Sequence, residues 1–146
     1  MAGIGFSFKI IGLEQLAKKL KPETVKSPLS EGIKKITLYV HKQATMATPV
    51  GTPESTGRKG YMGGSLRASI ERGLTLTPTQ GKIATLIPYA SFVEYGTVKM
   101  EARHVEGSAK RVYGLGMFGY GMKKLQEKIG DFLKDIGHAI EVKFGA

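Results

Sequence analysis

The apolar residues repeat first with the period of a strand and then with the period of a helix. Residues 4 to 10 alternate between large apolar and small or polar side chains, which is typical of a half-buried strand. From residue 13 to 20 the apolar spacing becomes three and four, which predicts a short helix. Pro22 is expected to end it.

A second helical pattern predicts a long helix from about residue 29 to 47. Ser27 is a suitable N-cap and Pro28 is tolerated in a first turn, so both are expected to open this helix. Thr48 precedes a proline, which disfavours the helical conformation and predicts the end of the helix.

The C-terminal part carries the clearest amphipathic pattern, seven apolar residues on one stripe from Met122 to Ile140. Gly130 and Gly137 lie seven residues apart near one face, where we expect another element to approach closely. Val142 and Phe144 alternate with other residues and predict a final edge strand.

Between these helices the pattern predicts an ordered segment and a β-hairpin. Residues 65 to 70 form the ordered segment, and Leu74 and Leu76 alternate with threonines as a strand. The turn residues 78 to 81 and the apolar residues 83 to 87 then predict an antiparallel return strand.

The densest stretch of the chain runs from Tyr89 to Thr97. Tyr89, Phe92 and Val93 are spaced to lie on one side of a helical turn, and we expect them to anchor that turn to the core. Gly96 occupies the position of a left-handed C-terminal cap. Gly96 and Thr97 would then lead into the next segment.

Glu94 is the single acid of this stretch. An apolar setting requires a cation or a backbone N–H as its partner, because an unpaired buried carboxylate costs several kcal/mol or protonates. We expect Arg67 to be that partner, with Arg103 second. The alternative is an exposed glutamate on a short surface helix.

Two glycine-rich segments are candidates for contact arms. Residues 50 to 64 form a long polar loop, and residues 98 to 120 combine glycines with many apolar side chains. The second segment is expected to become ordered against a partner; the alternative is that it folds back over the core. The predicted subunit or partner contacts are Arg58, Lys59, Tyr61, Lys99, Met100, Arg103, Tyr113, Leu115, Met117, Phe118 and Tyr120.

These patterns predict an α+β fold in one domain, residues 1 to 146. A small antiparallel β-sheet would pack against a long central helix and a C-terminal helix, with two long projecting loops. The chain has no cysteine, which excludes disulfides and thiolate metal sites. No apolar run is long enough to span a membrane, and we expect a soluble chain made in the cytoplasm.

The 146 residues carry a formal net charge of +10, spread along the chain with some excess in the first third. Such a charge suits a small basic nucleic-acid-binding module, which is the alternative function. A basic stripe with interleaved aromatic residues or a groove-binding helix is typical of nucleic-acid recognition, and the sequence shows neither.

Candidate catalytic groups do not converge in the sequence. His41, His104 and His138 are far apart, match no metal-ligand pattern and are expected at the surface or in loops. Residues 114 to 119 satisfy the dinucleotide-binding pattern GxGxxG by letter only, since no strand is predicted before them. The sequence therefore predicts neither an enzyme nor a cofactor.

Four landmarks occur in an order that resembles the HK97 gp10-like family of tailed phages. They are an N-terminal strand followed by GLEQLAKKL, a long helix ending in ATPV, the segment GGSLRASI, and IPYASFVEYGT followed by KMEAR. The resemblance covers about residues 6 to 103. The loop after Val50 is longer than in that family, and the family's ARPFL appears here as Ala102, Arg103, His104 and Val105.

The resemblance implies a structural virion protein in the neck or upper tail, assembled in the host cytoplasm. It would form a homo-oligomeric ring, expected to be sixfold, in tail completion and head–tail joining, and would contact the head–tail connector and the tail-tube or tail-terminator proteins. Basic residues would face DNA in the channel nonspecifically, or acidic patches on adjoining rings.

Overall fold

The computed structural model describes residues 3–8, 22–52, 57–60, 63–107 and 110–144. The helix predicted from 13 to 20 and the contact residue Tyr61 lie outside these ranges. The secondary-structure elements, in chain order, are β1 (Ile4–Phe8), α1 (Pro22–Ala47), α2 (Ser65–Arg72), β2 (Leu74–Leu76), β3 (Gly81–Thr85), α3 (Ala90–Tyr95), β4 (Arg103–Glu106), β5 (Lys110–Tyr113) and α4 (Met117–Phe144).

The long helices α1 and α4 pack against each other in antiparallel orientation. Near one end, a Cβ atom at Gly32 would overlap the side chain of Ile136, so glycine permits the close approach. Near the other end, Gly121 lies against Val40. Leu125 and Ile136 of α4 are buried in the core with Ile36, Val40 and Ala44 of α1.

Strands β1, β3 and β2 form a three-stranded antiparallel sheet in that order. Leu74 pairs with Ile83, which is fully buried. The sheet lies close to α1, since a Cβ atom at Gly81 would overlap the side chain of Thr37. The predicted hairpin is confirmed, although its return strand is Gly81–Thr85 rather than 83 to 87.

The core lies between these layers and draws on every helix. Its most buried apolar side chains are Val40, Ala44, Ala47, Ile70, Ile83, Ala90, Met117 and Phe118. Mixed helices and a small antiparallel sheet confirm the predicted α+β fold.

Two predicted boundaries of the long helices are wrong. Helix α1 begins at Pro22, where the missing N–H costs nothing, and continues through Pro28 with the loss of one backbone hydrogen bond. Helix α4 continues to Phe144, so Val142 belongs to a helix and not to an edge strand.

The expectation for Gly130 and Gly137 is also wrong. A Cβ atom built at either glycine would meet no described atom within 4 Å. The close approaches to α4 occur instead through Gly32 of the facing helix and through Gly121.

Residues 98 to 120 do not form one projecting loop. They contain a turn, the β4–β5 hairpin and the first turn of α4. Met117 and Phe118 are buried in the core, so the alternative that this segment folds back is confirmed for its C-terminal part. Helix α4 begins at Met117, so Met117 and Phe118 belong to the apolar side of the helix that faces the core.

Candidate functional site

The start of α4 is held by a carboxylate from another helix. Oε2 of Glu94 accepts a hydrogen bond from the backbone N–H of Phe118 at 2.8 Å, and Oε1 accepts one from Gly119 at 2.9 Å. The first N–H groups of a helix have no intrahelical acceptor, and the helix dipole favours negative charge there. Glu94 of α3 therefore caps α4 across 24 residues of sequence.

This geometry corrects the prediction of a salt bridge between Glu94 and Arg67 or Arg103. Glu94 has a backbone N–H as its partner, the other kind of partner that the sequence allowed. Glu94 is only 6% exposed, so it is not a surface residue. Burial raises the pKa of the Glu94 carboxyl above its ordinary value, while the two N–H donors and nearby His104 oppose the rise.

Arg67 has a different structural role. Its guanidinium donates a hydrogen bond to the carbonyl oxygen of Thr48 at 3.0 Å, just beyond the end of α1. A cation at a helix C-terminus interacts favourably with the dipole and with the unpaired carbonyl groups. Arg67 thus connects α2 to the end of α1.

The GxGxxG match also needs correction, because strand β5 does precede it and α4 follows it. The strand belongs to an antiparallel hairpin, however, and not to a parallel β–α–β unit. A phosphate would require the N–H groups of Phe118 and Gly119, which already donate to Glu94. The helix N-terminus is therefore occupied by the chain's own anion.

His104 reinforces the same junction. Its ring is 2% exposed, which contradicts the predicted surface position. Nδ1 lies 2.7 Å from the carbonyl oxygen of Leu115, and Nε2 lies 3.1 Å from Oε1 of Glu106. The ring therefore connects strand β4 to Leu115, two residues before α4. The ring also stacks on Tyr120, with centroids 4.4 Å apart.

The other two histidines lie in different surroundings. His41 is half-buried, with Nε2 3.1 Å from the carbonyl oxygen of Ile70. His138 is exposed on α4, as predicted.

Helix α3 turns its aromatic residues outward. Tyr89 and Phe92 are 44% and 53% exposed, so the prediction that they anchor the turn to the core is wrong. Val93, the third residue of that prediction, does face the interior, together with Ala90 and Glu94. A helix this short has one inward side, and the small and capping residues occupy it.

The chain leaves α3 through a tight turn. Gly96 has φ 76° and ψ −173°, a conformation that only glycine adopts readily, in place of the predicted left-handed helical cap. A Cβ atom there would lie 2.6 Å from the backbone nitrogen of Ala102. The N–H of Thr97 donates to the carbonyl oxygen of Met100 at 2.6 Å, which closes the turn.

We define the aromatic face as the exposed large side chains of α3 and this turn. Its members are Tyr89, Phe92, Tyr95, Val98 and Met100. Tyr95 is 66% exposed and Val98 is completely exposed. Exposed apolar groups in such concentration mark interaction surfaces in soluble proteins.

A groove of about 690 Å³ lies beside this face. We call it the basic groove; its walls include Leu66, Val93, Lys99, Arg103, Arg111 and Tyr113. Leu66 and Val93 are the most buried of these side chains, and we call these two apolar residues the floor of the groove. The α2 segment, α3, the following turn and the β4–β5 hairpin all contribute to it.

The predicted contact residues separate into three groups. Met117 and Phe118 are buried, so the prediction that they contact a partner is wrong. Leu115 and Tyr120 are half-buried at the start of α4. The side chains that remain available at the surface are Arg58, Lys59, Lys99, Met100, Tyr113 and, half-exposed, Arg103.

The sequence did not indicate Arg111, which lines the basic groove, or Gly116, which lies against Glu94. Arg111 alternates with Tyr113 along β5, a period that places both on the groove side of the hairpin. A Cβ atom at Gly116 would lie 2.5 Å from Cα of Glu94, and no sequence signal indicated that contact.

Within the described ranges, no cluster of three or more His, Asp or Glu side chains could hold a metal ion. In the same part of the chain, no helix has the length and apolar character needed to cross a membrane. A scan against protein-family models found no match, and searches of curated proteins and of solved structures found no significant match.

Proposed function

We propose that this chain is a structural subunit of a tailed phage or prophage that assembles as a ring at the head-proximal end of the tail. There it would take part in tail completion and head–tail joining, without catalysing a reaction. The order of the four sequence landmarks and the aromatic face support this proposal.

The aromatic face is the observation that carries it. Phe92 and Tyr95 are more than half exposed, although the backbone beneath them is fixed by Glu94. A rigid helix with outward aromatic side chains suits a subunit contact, since aromatic residues are enriched at interface centres. Little ordering entropy remains to be lost on association.

The test is the mass of the purified protein by light scattering over a range of concentrations. We expect species near six times the 15.8 kDa of one chain. The double substitution F92D/Y95D should return the protein to monomer, because two charges would have to be buried at the interface. L133D introduces one charge at an exposed leucine on α4 and serves as the control for an added charge outside the aromatic face.

A monomer under every condition, including mixtures with connector and tail-tube proteins, would overturn the proposal. Equal loss of assembly in L133D would assign the contact to another surface.

A basic nucleic-acid-binding module is the second candidate, favoured by the net charge of +10. Phosphate-driven binding is strongest at low salt, so a duplex titration at about 50 mM salt decides it. Absence of binding there excludes this candidate.

A further inference from the structure

We infer that the basic groove binds an acidic peptide segment of a partner protein, with carboxylates on the cationic walls and an apolar side chain on the floor. The inference goes beyond ring assembly and does not depend on it. The residues tested lie on the β4–β5 hairpin, whereas Phe92 and Tyr95 lie on α3 and do not line the groove; Tyr89 and Met100 of the aromatic face do line it.

The hairpin register places the cations of the groove on one side. Arg103 pairs directly with Tyr113, and Arg111 lies two residues before that tyrosine on the same strand. Side chains two residues apart on a strand share a face. The opposite face carries His104, which is buried against the start of α4. The two arginines are therefore held on a strand backbone whose other side is fixed.

The cationic side chains of the groove have no carboxylate partner within the described part of the chain. Lys99, Arg103 and Arg111 form no salt bridge there, although Glu101 lines the same groove. Three cations and one carboxylate leave an excess of positive charge. An acidic ligand complements this charge, and arginine binds carboxylates through two parallel N–H donors.

The apolar floor favours a peptide over a nucleic acid. Leu66 and Val93 form the base of the groove, and they offer no donor to a phosphate backbone. A peptide can place a leucine or an aromatic side chain on the floor and turn its carboxylates toward the arginines.

The local charge of the groove favours an acidic partner segment over a second copy of this chain. The groove carries three cations against one carboxylate, and the chain is itself basic. A segment rich in carboxylates complements the groove better than a surface of this chain does.

Fluorescence polarisation with labelled acidic peptides tests the inference. The probes are three 12-residue peptides with glutamates flanking a central Leu, Phe or Tyr, and we expect saturable binding of at least one. R103Q/R111Q should weaken it at least about tenfold, the effect of losing roughly 1.4 kcal/mol of binding free energy. R72Q/K82Q removes the same charge from exposed positions of α2 and β3 and should change affinity less than about twofold.

Three results would overturn the inference. The first is no saturable binding of any peptide to a protein whose circular dichroism shows it folded. The second is equal weakening by R72Q/K82Q, which would indicate general charge attraction. The third is binding of a 12-nucleotide oligo-dT, lost in R103Q/R111Q, without peptide binding. Since self-assembly is measured separately with F92D/Y95D, failure here is distinguishable from failure of the ring proposal.

Discussion

The Oε2 atom of Glu94 lies 2.8 Å from the backbone nitrogen of Phe118, and this pair joins the short helix α3 to the first turn of the long helix α4. A second bond from Gly119 uses the other carboxylate oxygen. Phe118 itself is buried in the core. The inward face of α3, the start of α4 and the core are therefore connected at one carboxyl group.

We predict that Glu94→Ala lowers the free energy of unfolding by about 3 kcal/mol, since it removes a charged acceptor and leaves two N–H groups unpaired. Glu94→Gln retains one oxygen acceptor and should cost about half as much. Urea denaturation followed by circular dichroism measures both. Glu101→Gln, in the exposed turn after α3, is the control and should stay within about 0.5 kcal/mol of wild type. Equal stability of Glu94→Ala and wild type would contradict the capping role.

Arg67 and Glu94 should be energetically independent. They share no hydrogen-bond partner, because Arg67 donates to the Thr48 carbonyl oxygen and Glu94 accepts from the start of α4. In a double-mutant cycle, Arg67→Ala and Glu94→Ala should add within about 0.5 kcal/mol. A coupling energy above about 1 kcal/mol would restore the direct pair predicted from the sequence.

Alanine substitution should change the stability of the protein in opposite directions at Gly116, just before α4, and at Gly130, within it. A Cβ atom at Gly116 would lie 2.5 Å from both Cα and the carbonyl oxygen of Glu94, so Gly116→Ala must shift the capping helix and should destabilise the protein by more than about 2 kcal/mol. Gly130→Ala meets open space and should stabilise it by up to about 1 kcal/mol through helix propensity. Thermal unfolding of the two variants provides the comparison, and a stable Gly116→Ala protein would show that this approach is not required.

The Glu106 carboxylate should contribute stability that depends on pH. The hydrogen bond from His104 lowers the pKa of Glu106 below its ordinary value of 4.5, with smaller contributions from Lys110 and Lys123. A lowered pKa in the folded state means stability that is present above 4.5 and lost as the pH falls through the folded value. The melting temperature of wild type should exceed that of Glu106→Gln near neutral pH, and the difference should shrink in acid.

The opposite pH dependence of Glu94 does not affect that comparison. Burial raises the pKa of Glu94, so its proton-linked stability is lost as the pH rises through the folded value, but wild type and Glu106→Gln both contain it. In a Lys110→Gln background the Glu106 difference should persist, because His104 is the main cause. A difference that is constant from acid to neutral pH would exclude the His104 interaction as its source.

The periodic patterns of the chain were sufficient for most of the fold. The alternation in β1, the hairpin of β2 and β3, and the apolar stripes of α1 and α4 all follow from local spacing, because each element buries one face. The boundaries failed where competing local signals were equally good, as at Pro28, which is compatible with a first turn and is accommodated in the interior.

The site depended on contacts between residues distant in sequence. The sequence identified Glu94 as a residue that needs a partner, and its composition made an arginine the obvious choice. The observed partners are two backbone N–H groups of α4, which only the tertiary structure brings next to α3. Nearly every residue has a backbone N–H, so the sequence does not indicate which ones donate to Glu94. The tertiary structure also turned Tyr89 and Phe92 outward, since a six-residue helix whose inward carboxylate caps α4 has no second side to bury.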